Sequence, residues 1–250
     1  MASRSNYIDG EWTDAESGDT FDTHDPANPD EVVGTYPQSG AEDAERAVEA
    51  AAAATDEWGD TPGPKRGRVL SRASQILADK KEELTEQLVR EEGKTEAEAG
   101  GEVQRAIDIF DYYGSKARDI GGEVKSASGG DTVLRTKQEP VGVAGLITPW
   151  NYPIAIPAWK IAPALAAGTT AVIKPATLAP GPTHAIAEAL DEAGLPDGAL
   201  NVVTGPGSEV GDVVAGHDDV DVVSFTGSAQ VGDIVYDTAT EDGKRVQLEM

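Results

Sequence analysis

The chain has 250 residues, which is long enough to bury a sizeable core in one large domain or two small ones. Its 45 acidic and 20 basic residues give a net charge of −25, which argues against nucleic acid and anionic membranes as partners, because a negative surface repels both. The lack of cysteine excludes disulfides and thiolate metal sites within these residues, and the three widely spaced histidines predict no metal site.

The acidic residues are spread along the chain and do not gather in one tail. A dispersed acidic surface with few lysines is typical of adaptation to high salt, where counterions screen the self-repulsion. An ordinary acidic cytosolic protein is the alternative, but a net charge of −25 far exceeds the magnitude of roughly 2–8 that suits a small domain.

The first residues lead into no apolar run, so the sequence predicts no secretory signal. The longest apolar stretch, residues 154–167, is interrupted by Pro157, Lys160 and Pro163, and it therefore predicts no membrane span. We expect a cytoplasmic protein.

The first 120 residues predict short strands followed by three amphipathic helices. Residues 6–40 alternate strand-like pieces with turn formers. Helices are predicted over residues 41–58, from the Thr61–Pro64 turn to about Glu92 with Gly93 as the stop, and over residues 95–118. The three apolar faces require a partner surface.

A mostly polar hairpin is predicted next, with strands over residues 123–126 and 132–139 around the turn at residues 128–131. A two-stranded hairpin is marginal in isolation, so we expect it to pack on another element or another chain.

From Pro140 the pattern becomes strand, loop and helix. Strands are predicted over residues 141–147, 170–173, 200–203, 220–225 and 245–249, and helices over residues 158–167, 182–193, 208–215 and 229–240. This repeat predicts an α/β fold in which a parallel sheet carries helices on both faces. Ligands of such sheets bind outside the carboxyl ends of the strands, where four motifs of this chain fall.

The first motif is Thr148–Pro149–Trp150–Asn151–Tyr152–Pro153, directly after the first strand of this repeat. The carboxamide of Asn151 is a neutral donor suited to a developing oxyanion. An Asx turn before Pro153 is the alternative explanation of that asparagine.

The second motif, Lys174–Pro175–Ala176, ends the next strand. A lysine at this place reaches a sugar hydroxyl or a phosphate as a point charge, although a solvated strand-end lysine is the simpler alternative.

The third motif, Phe225–Thr226–Gly227–Ser228, opens a G-x-x-x-x-G turn that ends at Gly232. Its small residues allow the backbone to approach a diphosphate at the N-terminus of a helix. The fourth motif, Leu248–Glu249–Met250, places a carboxylate at the end of the last strand; alone, it would be an ordinary solvated residue.

In this order and at these intervals, the four motifs resemble the first half of an aldehyde dehydrogenase, and the resemblance runs from Tyr7 to Met250. It implies a Rossmann-like cofactor domain. Residues 1–120 are then its N-terminal helical part, residues 121–139 an oligomerisation-type hairpin, and residues 140–250 an incomplete dinucleotide-binding α/β core without the catalytic domain.

The resemblance also implies roles for single residues. Asn151 polarises the substrate carbonyl, and Glu249 is the general base that activates the thiol or the deacylating water. Lys174 contacts the adenosine ribose, and Ser228 faces the diphosphate. The implied cofactor-binding residues are Ile147, Thr148, Pro149, Trp150, Lys174, Thr177, Gly205, Phe225, Thr226, Gly227, Ser228 and Val231.

The implied cofactor is NAD or NADP. Thr177 stands where many NAD-preferring members carry a glutamate that holds the ribose hydroxyls. Because threonine does not repel a 2′-phosphate and Lys174 is near in sequence, NADP is favoured.

In the family mechanism a cysteine thiolate attacks the aldehyde, hydride passes to the nicotinamide, and water hydrolyses the thioester. This chain contains no cysteine, so we expect the nucleophile beyond residue 250. The alternative is a truncated, non-catalytic module that binds nucleotide or, through the hairpin, assembles with intact subunits. The family implies a homo-oligomer, a dimer or a tetramer.

The run of residues 147–160 is similar to the semialdehyde branch, in particular 2,5-dioxovalerate (α-ketoglutarate semialdehyde) dehydrogenases. Succinate-semialdehyde and betaine-aldehyde dehydrogenases are close competitors.

Overall fold

A seven-stranded sheet forms the centre of the computed structural model, which describes residues 2–250. The strands are β1 (Ala2–Ser3), β2 (Asn6–Ile8), β3 (Glu11–Thr13), β4 (Thr20–Asp25), β5 (Asn28–Pro37), β6 (Val124–Ser126), β7 (Val133–Arg135), β8 (Val143–Ile147), β9 (Thr170–Lys174), β10 (Leu200–Val202), β11 (Val222–Thr226) and β12 (Arg245–Glu249). The central sheet has the order β12-β11-β8-β9-β10-β2-β3. Strands β1, β5 and β4 form a second, smaller sheet.

The helices are α1 (Ala41–Ala53), α2 (Thr55–Asp60), α3 (Gly63–Asp79), α4 (Lys81–Glu92), α5 (Glu96–Lys116), α6 (Ala155–Ala167), α7 (Gly181–Glu192), α8 (Asp212–Gly216) and α9 (Ala229–Glu241). A π-helical turn (Gly207–Gly211) precedes α8. No helix among the described residues combines the length and apolar character that a bilayer crossing requires.

The predicted α/β repeat is confirmed. Strands β8 to β12 are parallel to their neighbours among themselves, and helices separate them along the chain. Strands β2 and β3 extend the same sheet in antiparallel pairing, which the sequence did not predict. Each has three residues, too few for a hydrophobic period to identify its partner.

Alternate side chains of the strands enter two separate cores, one on each face of the sheet. Leu146 packs in the core that contains residues of α3, α5, α6 and α7. Its neighbour Ile147 packs on the other face, against residues of α1, α8 and α9. Strands buried on both faces read as continuous apolar runs, and Val143–Ile147 is such a run.

Two predicted helices are each interrupted once. The helix predicted over residues 41–58 divides at Ala54, and the following one divides at Lys80. At Lys80 the ψ angle is 9°, which is not helical and ends α3. Such a small backbone change requires neither proline nor glycine, so the sequence gives no signal of it. The predicted stop at Gly93 is confirmed, because this glycine ends α4 with a φ of +85°.

The predicted hairpin is present as β6 and β7, which pair with each other and with no other strand among residues 2–250. Val124, Val133 and Leu134 are exposed on it. Its expected packing against another chain stays a prediction.

A fully buried histidine of α7, His184, faces strands β3 and β5. The Nδ1 atom of His184 donates to the carbonyl of Pro180 at 3.0 Å, and the rings of Trp12 and Tyr36 lie near its imidazole. Burial lowers the pKa of His184 from 6.5 to about 4.

We expect this histidine to make the fold sensitive to acid. Below pH 6.5 the unfolded chain binds a proton at His184 that the folded chain takes up only near pH 4, so the free energy of unfolding falls as the pH drops through this window. The full shift corresponds to about 3 kcal/mol. Urea unfolding between pH 4 and 7.5 should give a smaller slope for His184→Asn, which keeps a donor for Pro180. The exposed control His24→Asn should keep the slope of the parent protein, and an unchanged slope in His184→Asn would contradict the prediction.

Candidate active site

The ends of four parallel strands lie in one row at the carboxyl edge of the central sheet. Ile147 is paired in register with Lys174 on one side and with Phe225 on the other. In the adjacent pair, Thr226 lies opposite Glu249. The four sequence motifs are therefore brought together at one edge, although they span about a hundred residues of the chain.

The strand order reverses beside β8. The next strand along the chain, β9, lies on one side of β8, while β11, which follows only after β10, lies on the other. Such a switch opens a crevice between the two loops that leave the sheet there. The loops after β8 and β11 carry the first and third motifs, so both motifs flank the crevice.

The turn after β8 presents Asn151 to the outside. The amide of Thr148 donates to the carbonyl of Lys174 at 3.3 Å and so ties the start of the turn to the neighbouring strand. Asn151 is exposed, and its carboxamide makes no hydrogen bond with any residue from 2 to 250. An Asx turn requires such a bond, so the structure argues against that alternative and leaves the carboxamide free to act as a donor.

Lys174 is not a solvated strand-end residue. It is 8% exposed, and its ammonium donates to the carbonyl of Pro175 at 3.1 Å. Burial lowers its pKa to about 8. Its alkyl chain lies beside the π-helical turn, since a Cβ placed on Gly211 would be 3.9 Å from its Cδ atom.

Trp150 and Thr177 line the same cavity, of about 370 Å³. Trp150 is half exposed there, and Leu178 completes the apolar part of the wall. Three carboxyl groups also line it, those of Asp22, Glu91 and Glu92. Burial raises the pKa of Glu91, and Glu92 forms an ion pair with Lys94 at 2.9 Å. A phosphate placed inside the cavity would therefore be opposed chiefly by Asp22.

The backbone conformation of Gly205 and a close neighbouring segment both favour glycine at this position. Its φ is +155°, and a Cβ on it would lie 2.5 Å from the carbonyl oxygen of Ser39. The close approach of the two chain segments accounts for this residue without a ligand, and its role in cofactor binding stays a prediction.

The turn after β11 packs closely against the strand ends. The amide of Gly227 donates to the carbonyl of Glu249 at 3.1 Å, and a Cβ on Gly227 would lie 2.5 Å from the ring of Phe225. The hydroxyl of Ser228 accepts from the amide of Val231 at 3.4 Å and so caps α9. The N-terminus of this helix faces the crevice edge, as an anion site requires.

Two hydroxyls beside the crevice have no partner. The Oγ1 atoms of Thr148 and Thr226 are buried and make no hydrogen bond with the described residues. Buried polar atoms are normally paired, so these two hydroxyls fit the polar groups of a bound ligand. Together with a helix N-terminus and a buried lysine, they suit the hydroxyls and phosphates of a dinucleotide.

Glu249 lies on an open polar face of the β11–β12 pair. Its carboxylate accepts from the Nε2 atom of Gln247 at 2.8 Å. Beside it, the ammonium of Lys160 donates to the hydroxyl of Ser224 at 2.6 Å and to Gln247 Oε1 at 3.4 Å. Burial lowers the pKa of Lys160 to about 8, although the charge of Glu249 acts in the opposite direction.

Lys160 was not among the residues predicted for the site. Its signal in the sequence is a single lysine within the otherwise apolar helix α6. Only the fold shows that this lysine reaches the face on which Glu249 stands.

Comparison with known proteins identifies relatives of the whole chain. A model of the aldehyde dehydrogenase family matches residues 12–250. The chain is 64% identical to the alpha-ketoglutarate semialdehyde dehydrogenase of Haloferax volcanii, over 98% of this chain and 51% of that protein. It is 45% identical to the alpha-ketoglutaric semialdehyde dehydrogenase of Bacillus subtilis, over 98% of this chain and 50% of that protein.

The fold is likewise similar to that of a solved aldehyde dehydrogenase. Betaine aldehyde dehydrogenase from Staphylococcus aureus in complex with NAD+ superposes with a TM-score of 0.97 at 37% identity, over 100% of this chain and 50% of that chain. The chain thus spans about half the length of the relatives it matches.

Proposed function

Since the chain belongs to the aldehyde dehydrogenase family, we propose that it forms the nucleotide-binding part of an enzyme that oxidises an aldehyde to a carboxylic acid with NAD or NADP. The observation that carries this proposal is the alignment of the four motifs at one sheet edge, beside the topological switch. On this proposal residues 140–250 are the dinucleotide-binding core and residues 1–120 its helical support.

Asn151 and Glu249 are the two residues proposed to take part directly in the reaction. The free carboxamide of Asn151 donates to the carbonyl oxygen of the aldehyde and stabilises the negative charge that develops on it. Glu249 takes the proton from the attacking thiol or from the deacylating water. Its side chain is exposed at the end of β12, on the face that Lys160 also reaches.

Lys174, Thr148, Thr226 and the N-terminus of α9 would hold the dinucleotide. The two unpartnered hydroxyls supply hydrogen bonds, and the helix N-terminus favours the diphosphate charge. When bound, the nicotinamide supplies the hydride acceptor.

The nucleophile of the proposed reaction is a cysteine, and these 250 residues contain none. It would lie in the portion of the relatives that this chain does not span. The test is to assay the polypeptide purified from its native source: turnover of aldehyde with NAD or NADP supports the proposal, whereas nucleotide binding without turnover contradicts it.

We further propose α-ketoglutarate semialdehyde as the substrate, because the relatives that are 64% and 45% identical carry that activity in their names. The test compares kcat/KM for this aldehyde, succinate semialdehyde and betaine aldehyde. The assay uses molar KCl, as the net charge of −25 and the similarity to a Haloferax protein recommend. Indifference among the aldehydes, or a preference for betaine aldehyde, would refute the assignment.

The exposed apolar residues of the β6–β7 hairpin support its proposed role in a homo-oligomer, a dimer or a tetramer. Val124, Val133 and Leu134 would be covered in such an assembly. Light scattering of the native polypeptide measures the oligomer size directly.

For the nucleotide, we propose that NADP is accepted and preferred, because Thr177 adds no charge and Lys174 adds a positive one. The carboxylate of Asp22 in the Trp150 cavity acts against this preference, so the test compares the dissociation constants of both nucleotides. A large measured preference for NAD would contradict it.

Thr177→Glu is expected to weaken NADP binding about 10- to 100-fold and to leave NAD binding nearly unchanged. The added carboxylate would repel a 2′-phosphate, and each tenfold change corresponds to about 1.4 kcal/mol. Dissociation constants for both nucleotides are measured by isothermal titration calorimetry. Thr177→Gln is the matched neutral control. Equal losses for both nucleotides in Thr177→Glu would show that the side chain is not near the 2′ position.

A further inference from the structure

We propose that Lys94 and Glu102 are positioning residues that hold the turn carrying Asn151 in its donor geometry. The proposal rests on the function proposed above, in which Asn151 polarises the carbonyl. Neither residue belongs to the four motifs, and both come from the helical part of the chain that precedes the sheet.

Glu102 lies on α5 and is fully buried. Its Oε1 atom accepts from the amides of Ile154 and Ala155 at 2.9 and 3.1 Å. These two amides open α6, which has no capping side chain of its own within the described chain. The carboxylate therefore satisfies free donors at a helix N-terminus, where negative charge is favoured. It fixes the point at which the Asn151 turn enters α6.

Lys94 connects Glu102 to the other side of the turn. Its ammonium forms ion pairs with Glu102 and, at 2.9 Å, with Glu92. It also donates to the backbone carbonyl of Asn151 at 3.3 Å and lies 4.9 Å from the ring centre of Tyr152. Two consecutive residues of the turn are thus held by one cation.

Charged side chains from outside the turn bind its backbone at both ends. The carbonyl of Asn151 is bound to Lys94, and three residues later the amide of Ile154 is bound to Glu102. The Asn151 side chain is exposed and makes no hydrogen bond within residues 2–250 that would orient it. Its direction must therefore be set by the backbone, which these two residues restrain.

Lys94→Met should lower kcat about 10- to 100-fold in the native-length polypeptide, because a misplacement of about 1 Å at a reacting group costs up to about 10²-fold in rate. The dissociation constant of the nucleotide should stay within about twofold. Lys94→Arg, which keeps the charge, should recover most of the activity. Exposed controls are Glu96→Gln at the start of α5 and Lys116→Met at its end, and both should resemble the parent protein.

A double-mutant cycle distinguishes positioning from a general loss of stability. If Lys94 acts through Asn151, Lys94→Met should have little further effect on kcat in the Asn151→Ala background. If the two losses multiply in full, the proposal is overturned. If instead Asn151→Ala turns over as fast as the parent protein, the role of Asn151 in the proposed function fails.

Hydrogen exchange tests the structural part independently of activity. Glu102→Ala should speed exchange at the amides of Ile154 and Ala155 selectively, while α7 stays protected. Unchanged exchange at these two amides would overturn the proposal whether or not the protein oxidises aldehydes. Faster exchange throughout the chain would mean general destabilisation and would overturn it as well.

Discussion

Glu249→Gln is expected to lower the kcat of the native-length polypeptide about 10³-fold, the middle of the range of roughly 10²–10⁴ that general acid–base groups contribute. Glutamine has nearly the same shape and can still accept the hydrogen bond from Gln247, so the fold of β12 should persist. It cannot take a proton from the thiol or the water. The loss should therefore fall on the chemical steps and leave the affinity for nucleotide unchanged.

The measurement is the steady-state rate at saturating aldehyde and nucleotide, together with nucleotide titration. Glu241→Gln, an exposed carboxylate at the end of α9, is the matched control. A kcat of Glu249→Gln within about threefold of the control would remove this residue from the role of base.

Asn151→Ala is expected to lower kcat about 10²- to 10³-fold, the effect of removing one donor from an oxyanion site. The side chain is exposed and makes no hydrogen bond within residues 2–250, so stability should change by less than about 0.5 kcal/mol. Asn151→Asp should lose at least as much activity, since a carboxylate opposes the developing negative charge.

Measuring kcat and KM of Asn151→Ala separately tests this prediction. A donor that acts only in the transition state lowers kcat and kcat/KM equally, whereas one that merely binds the aldehyde raises KM. The exposed Asn28→Ala serves as the control for general effects of removing an asparagine. A change confined to KM would show that Asn151 binds substrate without stabilising the transition state.

The sequence by itself determined the fold class and the edge of the sheet on which the motifs lie. The strand–helix repeat from Pro140 requires parallel strands, and parallel strands present their carboxyl ends at one edge. Ile147, Lys174, Thr226 and Glu249 could therefore be grouped from their positions at strand ends alone. The order of the motifs also indicated the family, which the comparisons confirm.

Only the tertiary structure decided which residues surround those strand ends. Periodicity reports that a side chain is buried, but not which distant element it meets. Glu102 reaches Ile154 across 52 positions and Lys160 reaches Ser224 across 64, and no local pattern contains such pairs. A buried charge requires a partner, and tertiary packing decides which residue becomes that partner. The residues that contact the Asn151 turn and those that lie beside Glu249 could therefore be identified only once the helices were packed on the sheet.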